Sequence, residues 1–154
     1  MQREPFDAAA ELAKLARGRD DVGAVVTFTG ICRGIEDGEP IASLTLEHYP
    51  GMAETEIESH VAEAGNRWRL SGVTVIHRYG RIRPGEEIVL VITASPHREA
   101  AFAAAEFLMD YLKTHAPLWK QVERSSSKTW IEAKATDDAA VERWATPRRN
   151  QAAE

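Results

Sequence analysis

Two short stretches hold the residues most able to do chemistry: Ser95-Pro96-His97-Arg98, and the run from Met109 to Lys120 that contains Lys113 and Lys120. Serine followed by proline is a start signal, with Ser95 as N-cap and Pro96 at the first helical position. His97 and Arg98 then fall in the first turn, where a cation opposes the positive end of the helix dipole at a cost of roughly a few tenths of a kcal/mol. Accepting that cost is consistent with an anion site, in which helix N–H groups and a planar guanidinium fork take a phosphate or carboxylate together. The competing reading is a solvated first turn with Arg98 paired to Glu4 or another carboxylate. Position favours the anion site, because the pair directly follows an apolar strand and ligands in sheet proteins gather beyond the carboxyl ends of such strands.

Lys113 falls in the last turn of the same helix, where a cation complements the dipole. Lys120, beside Trp119 in an expected strand, has less structural excuse. If the two converge on a partly desolvated pocket, either can serve as base, acid or nucleophile. Arg33 lies in Gly30-Ile31-Cys32-Arg33-Gly34, where flanking glycines leave the backbone N–H groups free to face an anion. Cys32 has no general base beside it in sequence and reads as a small buried hydrophobe. His48, His60, His77 and His115 show no metal-ligand spacing and read as solvated or hydrogen-bonded; Glu86 and Glu87 belong to a surface turn. No phosphate-loop, dinucleotide or Ser-His-Asp pattern occurs.

The elements that must position these groups follow from periodicity. Ala8 to Arg17 is a helix stopped at Gly18; Gly23 to Gly30 is a glycine-bounded β-branched strand, followed by a polar turn from Gly34 to Pro40. Ser43 to Tyr49 alternates apolar and polar and ends at Pro50-Gly51. Ile57, Val61, Ala64 and Trp68 mark a helix over 53–68. Val73 to Arg78 and Glu87 to Thr93 are strands around the turn Arg83-Pro84-Gly85-Glu86, and the unbroken run Ile88 to Ile92 predicts a central strand covered on both faces. Phe102, Ala105, Leu108, Met109 and Leu112 predict the apolar face of the next helix, which Pro117 ends. Two more strands, over 119–123 and 129–133, flank Ser125 to Lys128, and a short helix is expected over 137–144. The pattern predicts an α+β fold with a mixed sheet: one domain over 1–144 and a polar, frayed tail over 145–154.

The composition fits one globular domain of 154 residues, with 44% hydrophobic and 28% charged residues. A net charge of −5 argues against a nucleic-acid protein and makes the four cations near one helix a local concentration. A single cysteine excludes an internal disulfide and a cysteine-only metal cluster. The N-terminus lacks a signal-peptide pattern and the longest apolar run cannot span a bilayer, so a cytoplasmic location is expected.

Several segments together resemble the family of large, catalytic subunits of molybdopterin synthase: Gly23 to Gly30, Leu44 to Met52, Asn66-Arg67-Trp68, Val73 to Arg78, Pro84 to Val89, Ser95 to Arg98, and Met109 to Lys120. Order and spacing match from about residue 20 to Trp144. The resemblance implies an α/β hammerhead-type fold with a smaller β subdomain, and a homodimer within a heterotetramer. The implied partner is a small ubiquitin-like sulfur carrier whose C-terminal Gly-Gly thiocarboxylate enters a pocket and gives sulfur to cyclic pyranopterin monophosphate, building the molybdopterin dithiolene. No metal or organic cofactor is implied.

By position, the resemblance makes Lys113 and Lys120 the catalytic residues. It gives Ile31, Cys32, Arg33, His97 and Arg98 to the substrate, and Phe28 and Met109 to the slot for the carrier's tail. Lys134 stands where the family commonly places an arginine reaching into the neighbouring subunit's pocket, and would bind substrate as a point charge instead of a fork. The segment before Pro5 is shorter than the family often has. The alternative readings are a non-catalytic module that binds a ubiquitin-like tail or a small phosphorylated ligand, and a thiol enzyme dependent on Cys32.

Overall fold

A computed structural model describes residues 1–131 and 141–145. In chain order the elements are α1 (Ala8–Ala16), β1 (Ala24–Ile31), β2 (Ile35–Glu36), β3 (Glu39–Pro40), β4 (Ser43–His48), α2 (Met52–Arg67), β5 (Gly72–His77), β6 (Gly80–Ile82), β7 (Glu87–Ser95), α3 (Arg98–Thr114), β8 (Leu118–Glu123) and β9 (Lys128–Ile131). They form a three-stranded sheet of order β1-β7-β5, a four-stranded sheet of order β6-β4-β8-β9, and the β2-β3 hairpin. The fold is α+β as expected. The ladders among the described residues are antiparallel, so the mixed character expected of the sheet shrinks to one parallel bridge between Gln2 and Arg78. The β subdomain carries one strand more than the sheet behind which the helices pack.

The apolar run in β7 does what its composition dictates. Leu90 and Ile92 are fully buried on one face, with Phe6, Leu12 and Leu15 from the α1 side. Val89 and Val91 point to the other face and meet Phe107, Leu108 and Leu112 of α3. Each such side chain contributes about 1.5–3 kcal/mol on burial. Trp144 joins this second layer, stacked edge-on against Trp68 and Phe107, with Nε1 donating to Asp110 Oδ2 at 2.7 Å. A third cluster, Cys32, Leu44, Leu46, Ile82 and Val122, fills the β subdomain.

Three sequence expectations need correction. Ser95 ends β7 rather than capping a helix: its buried hydroxyl donates to the Arg69 carbonyl at 2.9 Å and accepts the His97 N–H at 3.1 Å. The helix therefore starts at Arg98, with His97 as N-cap. Phe102, expected on the buried face of α3, is 63% exposed. The stretch from Gly34 to Pro40, expected as a turn, is a hairpin in which Ile35 pairs with Pro40 and Glu36 with Glu39. Its tip, Asp37-Gly38, has φ of +53° and +82°, the left-handed pair that a two-residue hairpin turn demands. The short strand β6 was not anticipated. Most of the helix expected over 137–144 and of the tail over 145–154 lies outside the described residues, although 141 and 142 are helical. No helix among the described residues is long and apolar enough to cross a membrane.

Candidate active site

Where the two sheets meet the end of α3, the chain encloses a cavity of about 600 Å³. Its walls come from β1, the loop after it, β2, β4, β5, β7, α3, β8 and β9. Apolar side chains, among them Phe28, Leu46, Val89, Met109 and Leu118, make most of the lining. The polar groups are Arg33, Glu36, His77, Lys113 and Lys120.

Local structure explains how each cation arrives there. β1 runs against β7 until Gly30, opposite Val89, where a register shift follows. A side chain at Gly30 would place its Cβ 2.6 Å from Val89 Cγ1, so only glycine lets the strands close at this point. The chain then leaves the sheet and is pinned by Cys32, whose N–H donates to the Glu86 carbonyl and whose carbonyl accepts the Gly85 N–H, both at 2.8 Å. Arg33 follows, side chain largely exposed and turned toward the cavity. Lys113 comes from the last turn of α3, and Lys120 from β8, whose inward face alternates Leu118, Lys120 and Val122. Residues separated by 87 positions in sequence thereby share one hollow.

Electrostatics inside the cavity centre on Glu36. Its side chain is 4% exposed; Oε1 accepts from Lys120 Nζ at 3.2 Å and Oε2 from Arg33 Nη2 at 2.9 Å. Sequence reasoning did not mark this residue. The only available hint was its place three positions after Arg33, a spacing that means nothing until the hairpin folds inward. Lys113 makes no ion pair among the described residues. Cys32 is buried in the subdomain core, and burial raises its thiol above the usual range, as its reading as a small hydrophobe predicted. His77 is buried at the cavity wall with Nδ1 2.9 Å from the Arg78 carbonyl, and burial pushes its pKa down to about 4. It is therefore neutral near pH 7, with one ring nitrogen committed to the backbone.

The remaining sequence candidates divide plainly. Phe28, Ile31, Cys32, Arg33, Met109, Lys113 and Lys120 line the cavity. His97 and Arg98 do not. The antiparallel register places Ala24 opposite Ser95, so this pair sits at the end of β1 away from Ile31, about 20 Å along the strand at roughly 3.3 Å per residue. Both are exposed, as a solvated first turn would have them, but Arg98 has no carboxylate partner among the described residues and the pair does not stand beside the lysines. The backbone N–H groups beside Arg33 are also not an open anion nest: that of Cys32 is taken by Glu86, and neither Gly30 nor Gly34 has positive φ. Lys134 lies outside the described residues.

Among the described residues, the site is a partly apolar slot with three cations and one buried carboxylate at its polar end. It suits an anionic small molecule lying beside a narrow, weakly polar segment. Comparison with known proteins places this geometry among relatives. Residues 1–115 match the family model described as MoaE protein. A molybdopterin synthase catalytic subunit from Mesorhizobium japonicum is 59% identical over 146 residues, covering 94% of this chain and 91% of the relative. Among solved structures, a molybdopterin biosynthesis MoaE protein from Burkholderia ambifaria aligns with a TM-score of 0.80 at 44% identity, over 94% of this chain and 95% of that one. A protein–protein complex of subunits 1 and 2 of molybdopterin-converting factor from Helicobacter pylori shares the fold, with a TM-score of 0.66 at 22% identity, over 86% of this chain and 90% of that one.

Proposed function

This chain belongs to the MoaE family, and on that premise we propose that sulfur transfer takes place in the cavity shared by Arg33, Lys113 and Lys120. Its function is that of a catalytic subunit of molybdopterin synthase, a sulfurtransferase of molybdenum cofactor biosynthesis. In the proposed reaction, a small ubiquitin-like carrier presents a C-terminal Gly-Gly thiocarboxylate, and cyclic pyranopterin monophosphate receives the sulfur. The observation that carries this reading is the convergence of three cations from a loop, a helix end and a strand on a single mostly apolar slot.

Each residue has a role that its position suits. The stretch between Phe28 and Met109 is apolar and takes the carrier's tail, where glycines without side chains let an extended backbone pass. Arg33 and Lys120 hold the phosphorylated pterin, the guanidinium as a fork and the ammonium as a point charge. Lys113, unpaired among the described residues, stabilises negative charge developing on the thiocarboxylate carbonyl or carries a proton away from it. Lys120 orients the substrate or protonates a leaving oxygen. Ile31 and Cys32 set the loop that aims Arg33.

His97 and Arg98 enter this scheme through a second copy of the chain. In a homodimer, carried in turn by two carriers as a heterotetramer, they would complete the cavity of the neighbouring protomer, since they stand too far along β1 to serve their own. Lys134 takes the same intersubunit role by its position in sequence. The chain is proposed to act in the cytoplasm as one catalytic domain over 1–144, with 145–154 as a tail.

Purified protein mixed with thiocarboxylated carrier and cyclic pyranopterin monophosphate tests the scheme, with product followed by mass. Appearance of a dithiolene is expected. Formation of a stable complex without product would make the chain a binding module and end the catalytic assignment of the lysines.

A further inference from the structure

Glu36 is a negative charge in a cavity otherwise furnished to receive one. Its two carboxylate oxygens are divided between Lys120, at 3.2 Å, and Arg33, at 2.9 Å, the two cations assigned above to the substrate's phosphate. The side chain is nearly buried, so water does little to screen its charge from a second anion placed beside it. Each cation keeps further N–H donors for a phosphate, but a phosphate drawn to them would stand beside this carboxylate, and repulsion between the two anions sets them in competition for the pair.

The element carrying Glu36 is also short, and neither of its strands joins either larger sheet. It is a two-by-two residue hairpin with a left-handed, exposed tip. Beyond the cavity contacts, Arg124 at the end of β8 ties it through Nη2 to the Glu36 carbonyl at 3.3 Å and through Nε to Glu39 Oε2 at 2.9 Å. The strand that bears Lys120 thus runs on into the residue that tethers the hairpin. Glu36 takes part in no ladder of the two larger sheets, so its carboxylate can withdraw without rupture of either.

We propose that Glu36 is a placeholder anion: it keeps Lys120 and Arg33 paired while the cavity is empty and yields them to the phosphate of the incoming substrate. This rests on the reading of the cavity as the pterin phosphate site. Glu36 is a positioning residue that touches no reacting atom, and its effect falls on substrate affinity. A purely structural ion pair would give the protein stability and leave affinity alone or weaken it when removed.

The test compares wild type with Glu36→Gln, which keeps shape and an acceptor oxygen but loses the charge, and with Glu36→Asp, which keeps the charge. Under steady state with thiocarboxylated carrier, Glu36→Gln should lower KM for cyclic pyranopterin monophosphate about tenfold, the scale of one charged hydrogen bond, while kcat changes less than about threefold. Glu36→Asp should return KM toward wild type. Inorganic phosphate binding, followed by calorimetry at fixed ionic strength, should likewise tighten about tenfold in Glu36→Gln. Tighter phosphate with an unmoved pterin KM supports the placeholder and counts against the pterin reading. Unchanged or weaker binding of both overturns the placeholder. Should Glu36→Gln fail to fold, amide exchange in the wild-type protein decides: saturating phosphate must speed exchange over residues 35–40, and unchanged or slower exchange there refutes the proposal.

Discussion

Removing Lys120 should cost both stability and turnover, whereas removing Lys113 should cost turnover alone. Lys120 Nζ stands 3.2 Å from Glu36 Oε1, with the lysine side chain 32% exposed and the glutamate 4%. Among the described residues, Lys120→Met leaves that carboxylate the guanidinium of Arg33, whose own side chain is 71% exposed and largely screened. The gross Coulomb attraction at this distance is about 5 kcal/mol at an effective dielectric of 20. After desolvation, a charged hydrogen bond nets roughly 1.5–3 kcal/mol, and partial exposure of the lysine places this one near ~2 kcal/mol. For a chain of this size, that lowers Tm by about 4–8 °C. Lys113 is exposed and has no such partner among the described residues, so Lys113→Met should stay within about 0.5 kcal/mol of wild type.

Both variants should lose turnover by about a hundredfold or more, the effect of deleting one preorganised charge from a transition-state site. The decisive assay is a double-mutant cycle by thermal unfolding and by turnover. Adding Glu36→Gln to Lys120→Met removes the buried charge that has lost its lysine and should recover more than ~1 kcal/mol without restoring activity. Equal loss of Tm in the two lysine variants would refute this reasoning. So would a cycle additive within about 0.5 kcal/mol, because the burial of Glu36 would then carry no electrostatic consequence.

Three further outcomes are expected. Cys32→Ser should turn over at close to the wild-type rate with a stability loss of about 1 kcal/mol from placing a hydroxyl in an apolar cluster; a large rate loss, or rapid inactivation by thiol alkylation, would revive a thiol mechanism. His77, with its pKa pushed down to about 4 against 6.5 for the free side chain, binds a proton in the unfolded chain before it does in the folded one. Stability is therefore complete above about pH 6.5 and falls as pH drops toward 4, by up to ~3 kcal/mol; urea midpoints should show this slope and His77→Gln should flatten it, and an equal slope in both would remove His77 as the cause. Arg98→Ala should unfold at the wild-type temperature yet lose turnover, and mixed oligomers of Arg98→Ala with Lys113→Ala protomers should regain part of it; no regain would show that Arg98 does not serve a neighbour's cavity.

Sequence disclosed the elements whose physics is local. The five-residue apolar run of β7 demanded cover on both faces and received it from α1 and α3. Pro117 and Pro50-Gly51 ended their elements where backbone chemistry requires. What stayed hidden depended on tertiary choice. The Ser95-Pro96 pair carries the signature of a helix start, but the Arg69 carbonyl claims the serine hydroxyl and shifts the cap to His97. Phe102 and Met109 lie two turns apart on one stripe of α3. Periodicity put both on the buried face; Met109 does pack against the core and also reaches the cavity, whereas Phe102 faces outward. Glu36 reads as one more polar turn residue, and only folding of the hairpin onto β8 makes it a buried carboxylate.

The misplacement of His97 and Arg98 has a more general cause. The rule that ligands gather beyond the carboxyl ends of strands belongs to parallel sheets, in which every strand delivers its loop to the same side. Here β1 and β7 are antiparallel, so the loop after β1, with Arg33, and the residues after β7, with His97 and Arg98, leave from opposite ends of one ladder. Two cation clusters next to buried strands in sequence are thereby driven apart by the very pairing that buries those strands. No side-chain rearrangement can close a gap of about 20 Å fixed by seven strand residues. If both clusters act on one substrate, the second must come from another molecule, and dimerisation then becomes a requirement of the chemistry.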